Sequence, residues 1–380
     1  MGLGKRTLVY FFILLIYGGA VAFAMIRDFA DTPWPPDLAL EEFEPATAAP
    51  LKENKIWKPK FPVIDIHSHP RQSGMTADEM IKVMDESGVQ AVVDLDGRWG
   101  RNGERLKRVI EQYHLKYPDR LLAFFAPDLF KLGEKGFVEK ECEKIEQAAK
   151  MGVKGIKIYK QFGTLWRDKS GQRIAVDDAR LDPIWQKIGE LGLPVVIHTA
   201  NPVAFWEPTD RFNERYEELH QGGAWLESYY DKPQMPSHEQ LMQERENLMR
   251  KHPNTIFIGA HMAALGHDLK SLAKTLDEFP NFYVEISDRV YELGRQPYTT
   301  RDFFIKYQDR LLFGIDYIPE TEVYRDYFRF FETYDEYFDY PRREFKHGRW
   351  KIYGIGLPDS VLKKVYLENV GELLQIEKQK

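Results

Sequence analysis

The sequence predicts an α/β chain closed into a (β/α)8 TIM barrel, distorted by long loops after strands five and eight. Three observations carry that prediction. Short β-branched or aromatic runs recur eight times, a helical pattern follows each, and most intervals lie near the roughly thirty residues of a strand-helix unit. The runs are PVIDIH ending at His67, VQAVVDL at Leu95, LLAFFA at Ala126, VKGIKIY at Tyr159, PVVIHT at Thr199, TIFIGAH at His261, FYVEIS at Ser287 and RLLFGID at Asp316.

Between them, spacing and polarity predict helices over Met75 to Glu86, Asn102 to Lys116, Glu134 to Lys150, Asp182 to Glu190, His238 to Lys251, Asp268 to Glu278 and Thr300 to Gln308. Pro358 to Leu374 supplies the eighth. An open doubly wound sheet is the competing arrangement. The longest interval, from Thr199 to His261, predicts an insertion from about Asn201 to Ser237, and a second excursion follows Asp316. Both belong at the mouth of a barrel.

Composition narrows the class. The 380 residues are 43% hydrophobic and 29% charged, a globular composition. A net charge of −6 gives no basis for a nucleic-acid partner. A mean hydropathy of −0.49 excludes a polytopic membrane protein. Cys142 is the only cysteine, which rules out an intramolecular disulfide and any thiolate-rich zinc site.

The amino-terminal segment has its own character. Lys5 and Arg6 precede an uncharged apolar run from Thr7 to Ile26, read as an apolar helix that anchors the chain in a membrane by a single pass, or else as an export signal cut near Ala24. Either reading sends the rest of the chain out of the cytoplasm. Residues 27–60 hold Pro33, Pro35, Pro36, Pro45, Pro50 and Pro59 and read as a proline-rich spacer, or as a wrap on the domain surface. The catalytic domain then spans residues 61–380.

Chemistry in such barrels sits at the carboxyl ends of the strands, so the residues ending them are informative. Strand one ends Asp65-Ile66-His67-Ser68-His69, strand five reaches His198, strand six His261 and strand eight Asp316. Histidines at i and i+2 on a strand project to one side, so His67 and His69 can converge on one ion, and His198 and Asp316 complete a mixed N/O set suited to Zn2+. Taken singly, each has an ordinary alternative: a core histidine bonded to a carbonyl, or an aspartate capping a turn. Their joint placement is what those alternatives explain poorly. His114, His220, His238, His252, His267 and His347 fall on predicted helices or loops, where solvated or capping roles are expected.

The ordered motifs IDIHSHP, GIKIY, VIHTANP, FIGAHMA, FGIDY and LPDSVLKKVYLENVGELL make the chain resemble the metal-dependent amidohydrolase superfamily, within it the branch called amidohydrolase family 2. The resemblance runs from about Phe61 to Leu374. It implies that His67, His69, His198 and Asp316 bind the metal, and that His261 is a second-metal ligand or an acid/base and polarising group. Lys157, on strand four, stands where two-metal members of the superfamily carry a carboxylated lysine. Otherwise it remains a simple cation that meets a substrate carboxylate or pairs with a barrel acid such as Asp65. One divalent ion per chain is the expectation, two if Lys157 is carboxylated.

Three functions follow. The leading one is hydrolysis of an amide, cyclic amide or lactone in a small molecule by metal-activated water, with Asp316 as proton carrier and His261 at the scissile carbonyl. The second is non-oxidative decarboxylation of a small unsaturated or aromatic acid, with Arg98 as a carboxylate clamp or a plain loop cation. The third is a non-catalytic, membrane-anchored binding module. The aromatics of the two mouth loops pack on the barrel rim or on a second copy in a homodimer, or else line the substrate site. Arg289, Glu292 and Arg295 after strand seven clamp an acid or bond to neighbouring loops.

Overall fold

The computed structural model describes residues 39, 48–49, 51–221, 228–340 and 347–376. Eight parallel strands stand in chain order: β1 Val63–Ser68, β2 Val89–Arg98, β3 Leu121–Ala126, β4 Gly155–Ile158, β5 Val195–Ile197, β6 Phe257–Gly259, β7 Phe282–Glu285 and β8 Leu311–Leu312. Just past β8 the chain returns to β1. Ile66 N donates to Phe313 O at 3.0 Å and Asp316 N to His67 O at 2.8 Å. Those bonds nearly close the cylinder, so the barrel is observed and the open sheet is not.

The strands read as near-continuous apolar runs because both of their faces are buried. Ile64, Ile66, Val93, Phe124, Val196 and Ile258 belong to a cluster of strand residues filling the interior, against which Val370 and Leu374 of the carboxyl-terminal segment pack. Residues of the opposite strand faces, such as Val63, Val92, Ile156 and Phe257, join the helices in a larger outer cluster. Gly314 marks the tightest approach of the closing seam: a Cβ there would lie 3.0 Å from both His67 Cβ and Glu285 Oε2.

Helices fall in the intervals, with boundaries set by local chemistry. The helix Ala77–Ser87 opens on a capping box between Thr76 and Glu79 and stops at Gly88, whose φ is 74°. Between β5 and the helix His238–Lys251 lies the expected insertion, with a short helix Tyr216–Gln221 in it. The excursion after β8 holds a further helix beyond the eight expected, Thr321–Glu332. Its Tyr324, Tyr327, Phe328, Phe330 and Phe331 are buried, so the rings of this segment serve packing.

Two expectations are corrected. The single-pass membrane anchor lacks support: no helix among the described residues is long and apolar enough to cross a membrane. The longest, Phe137–Lys150 and His238–Lys251, have 14 residues and carry charged faces, whereas a bilayer needs about 20 apolar ones. The run Thr7 to Ile26 itself lies outside the described residues. Two histidines expected in solvent are buried instead. His114 donates Nδ1–H to Leu121 O at 2.5 Å, and His347 sits in the ionic network described below. At the described end of the proline-rich segment, Asn54 N donates to Asp335 Oδ2 at 2.8 Å, and Trp57 lies 4.5 Å beneath the Arg325 guanidinium.

Candidate metal centre

The carboxyl ends of β1, β5, β6 and β8 bring His67, His69, His198, His261 and Asp316 to one place. Asp316 is the hub. Its Oδ1 lies 3.2 Å from His67 Nε2 and 3.1 Å from His69 Nε2, while its Oδ2 lies 3.5 Å from His261 Nε2. His67, His261 and Asp316 each offer a ligand atom within 4.8 Å of the others. The His198 ring stands 4.4 Å from that of His261, and its Nε2 is buried without a hydrogen-bond partner.

The far side of each ring fixes its tautomer. His67 Nδ1 donates to Glu285 Oε1 at 2.9 Å, His69 Nδ1 to Asp96 Oδ1 at 3.0 Å, and His261 Nδ1 to the Ser287 carbonyl at 2.9 Å. A backbone carbonyl only accepts, so the His261 proton is on Nδ1. With the three Nδ1 positions held by outer acceptors, the three Nε2 atoms face Asp316. This is the arrangement in which histidine ligates a cation. Among the described residues His67, His261 and Asp316 form the group whose ligand atoms are close enough to share an ion, with His69 and His198 beside it, and this mixed N/O set fits a divalent cation.

Electrostatics agrees. Burial works against the Asp316 carboxylate, but His67 and the hydrogen bonds from His67 and His69 outweigh it and hold the group well below the ordinary carboxylate range. Burial pushes His198 and His261 well below the usual imidazole value, helped by Lys157 and Lys160 for the first and by His198 for the second. Both are therefore neutral. For His69, burial is overcome by Asp316 and Asp96, which raise it to about 9.

A family model described as amidohydrolase matches residues 64–376. The chain belongs to the amidohydrolase family. Its members are enzymes, hydrolases and decarboxylases, and typically depend on a metal. No curated protein matches the chain in sequence. Among solved structures it is similar to an uncharacterized TIM-barrel protein from Bordetella bronchiseptica, at 14% identity and TM-score 0.51, covering 83% of this chain and 99% of that one. It is also similar to 2,6-dihydroxybenzoate decarboxylase from Rhizobium, at 17% identity and TM-score 0.53, with the same coverage. At such identities the likeness is one of fold.

Within this amidohydrolase, Lys157 is buried on β4 with Nζ 3.2 Å from His67 Nε2. Burial lowers it to about 8 against the pull of Asp316, Glu285 and Asp96. It does not pair with Asp65, which accepts from Tyr324 Oη at 2.8 Å and from His67 N at 3.0 Å. Burial raises Asp65 to about 7. Arg98 closes β2, its guanidinium carbon 4.5 Å from the centre of the Tyr159 ring.

The polar loop after β7 bonds to its neighbours. Arg215, fully buried in the β5 insertion, donates to Glu218 and to Tyr291 Oη at 2.8 Å each and also pairs with Glu292. His347 Nδ1 meets Glu218 at 3.0 Å and its Nε2 lies 3.5 Å from Asp288. Arg295 pairs with Glu214 at 2.7 Å. Three loops are thereby tied together, and Arg289 is occupied by Tyr291 Oη at 2.9 Å and by Asp288 and Glu292.

Sequence reasoning missed Glu285, Ser287 and Asp96. Glu285 Oε1 also accepts from His261 N at 2.7 Å, and Ser287 Oγ lies 3.0 Å from Nδ1 of both His67 and His261. The available signal was the acid inside the otherwise apolar run FYVEIS.

Proposed function

We propose that the chain is a metal-dependent hydrolase cleaving a C–N or C–O bond, as in an amide, cyclic amide or lactone, of a small molecule. The observation that carries this reading is the convergence of three imidazole Nε2 atoms, their Nδ1 atoms held from outside, on the ionised Asp316. His67, His69, His198 and Asp316 would hold one divalent ion, with His261 and Lys157 beside it. Such an ion supplies Lewis acidity, bringing the pKa of water toward about 7 and polarising a carbonyl oxygen.

The chain's own groups then do the proton work. Asp316 takes a proton from the attacking water as the new bond to the carbonyl carbon forms, and returns it to the departing nitrogen or oxygen as the old bond breaks. His261 Nε2 is a proton acceptor, because its single proton is committed to the Ser287 carbonyl. That favours a base or ligand role over the carbonyl-polarising one. The cationic Lys157 offsets negative charge developing at the centre.

Non-oxidative decarboxylation uses the same centre, and Arg98 stacked on Tyr159 favours keeping it as the second reading. Elemental analysis with a screen of lactones, amides and unsaturated or aromatic acids, scored by product mass, separates the two. Water gained supports hydrolysis and carbon dioxide lost supports the lyase. His67→Ala and Asp316→Ala abolish turnover with an unchanged circular dichroism spectrum, and full activity in either variant ends the proposal. Two firmly bound ions per chain overturn the single-ion assignment.

A further inference from the structure

Four successive residues after β6, His261, Met262, Ala263 and Ala264, have φ between 53° and 59°. That left-handed region is one L-residues avoid, because Cβ crowds the carbonyl oxygen. Within the turn, Ala264 N donates to His261 O at 3.1 Å and Leu265 N to Met262 O at 3.0 Å. Two bonds are little against four strained residues, so restraint must come from outside.

The helix His238–Lys251 provides it. Arg245, fully buried, donates Nη1 to Ala263 O at 2.6 Å. His238, two turns earlier on the same helix, faces the Ala264 backbone. Gly259 leaves the room required, since a Cβ there would come within 2.6 Å of Ala263 Cβ.

Arg245 is otherwise hard to account for. Its Nε and Nη2 have no hydrogen-bond partner, and among the described residues no carboxylate pairs with it. The guanidinium lies 5.2 Å from the Phe282 ring centre, and burial pulls its pKa down to about 10. A buried cation without a counter-charge weakens a fold, and an apolar residue of similar volume serves stability as well or better. Its place is therefore not explained by stability.

We propose that Arg245, assisted by His238, is a positioning residue for His261: its bond to Ala263 O keeps the 261–264 turn left-handed and so aims the imidazole at Asp316. The claim rests on the metal-centre reading only through the cobalt readout below.

The test compares full-length wild type with R245M, which keeps the stem and removes the donors, R245K, which restores one donor, and H238F. Amide hydrogen exchange at Ala264 and Leu265, melting temperature and the visible spectrum after loading with Co2+ are measured on each. R245M should melt at or above the wild-type temperature, yet exchange both amides about tenfold faster or more and show shifted cobalt bands. R245K should stay close to wild type. Wild-type exchange at both amides in R245M overturns the proposal, as does an equal loss of protection throughout the barrel. Should R245M fail to fold, H238F decides by the same criteria: unchanged exchange at Ala264 refutes the clamp. A wild-type protein that takes up no cobalt sinks the metal reading and leaves the exchange result standing.

Discussion

Glu285→Gln isolates how far the centre depends on a residue that orients the ligand His67 without itself binding the ion. The carboxylate accepts three N–H groups: His67 Nδ1 at 2.9 Å and His261 N at 2.7 Å on Oε1, and Ser287 N at 2.6 Å on Oε2. All are buried, and His67 together with the hydroxyl and N–H of Ser287 holds the carboxyl below its usual range despite burial. An amide has only one accepting end. If its oxygen keeps the Oε1 bonds, the new NH2 faces the Ser287 donor, and a buried donor left unpaired costs about 1–3 kcal/mol. If the amide turns round, the NH2 faces His67 Nδ1, which must then accept, and the His67 proton moves to Nε2, the atom aimed at Asp316. Either outcome weakens the cation site. Loss of such an outer partner lowers metal affinity by about 10–100-fold, or about 1.4–2.8 kcal/mol. Competition for Zn2+ or Co2+ against a chromogenic chelator reads the change directly. An affinity within twofold of wild type would refute the reasoning, since it would mean that the His67 tautomer does not matter to the centre.

Other outcomes follow from the same geometry. Gly314→Ala forces a methyl 3.0 Å from His67 Cβ and Glu285 Oε2 and should destabilise the fold by about 1–3 kcal/mol, measured by urea unfolding; a neutral substitution contradicts the seam. Arg215→Met leaves Glu218 and Glu292 without their buried cation and should cost about 3–5 kcal/mol, with faster proteolysis of the loops it ties. His347 carries a pH signature. Burial disfavours its charged form, but Asp288 and Glu218 raise its pKa above the ordinary 6.5. The charged ring is therefore the stabilising one: its contribution is complete below about pH 6.5 and fades as pH rises through the raised folded value. The melting-temperature gap between wild type and H347Q should be largest in mild acid and shrink in alkali; a gap that widens with pH reverses the sign and rejects the assignment.

The barrel was legible because parallel strands buried on both faces must be apolar throughout, and eight such runs at regular intervals have few other ways to close. His67, His69, His198, His261 and Asp316 were legible for a related reason: a polar residue ending an apolar strand has a narrow range of uses. Glu285 shows where that reasoning stops. It is as buried as Val284 beside it, and only the three-dimensional neighbours explain its charge, two of which come from strands more than twenty residues away in the chain. The helix Thr321–Glu332 was legible too, since its buried Tyr324, Tyr327, Phe328 and Phe331 fall at i, i+3, i+4 and i+7; the aromatic content of the segment drew attention to ring packing instead of to that spacing. Arg245 was invisible altogether. On a polar helix an arginine reads as solvated, and its burial against Ala263 O depends on a left-handed turn that no residue type in HMAAL announces, since none of the four strained positions is glycine. The strand ends thus reveal which atoms gather at the centre, while the groups that orient those atoms are encoded in contacts between distant segments.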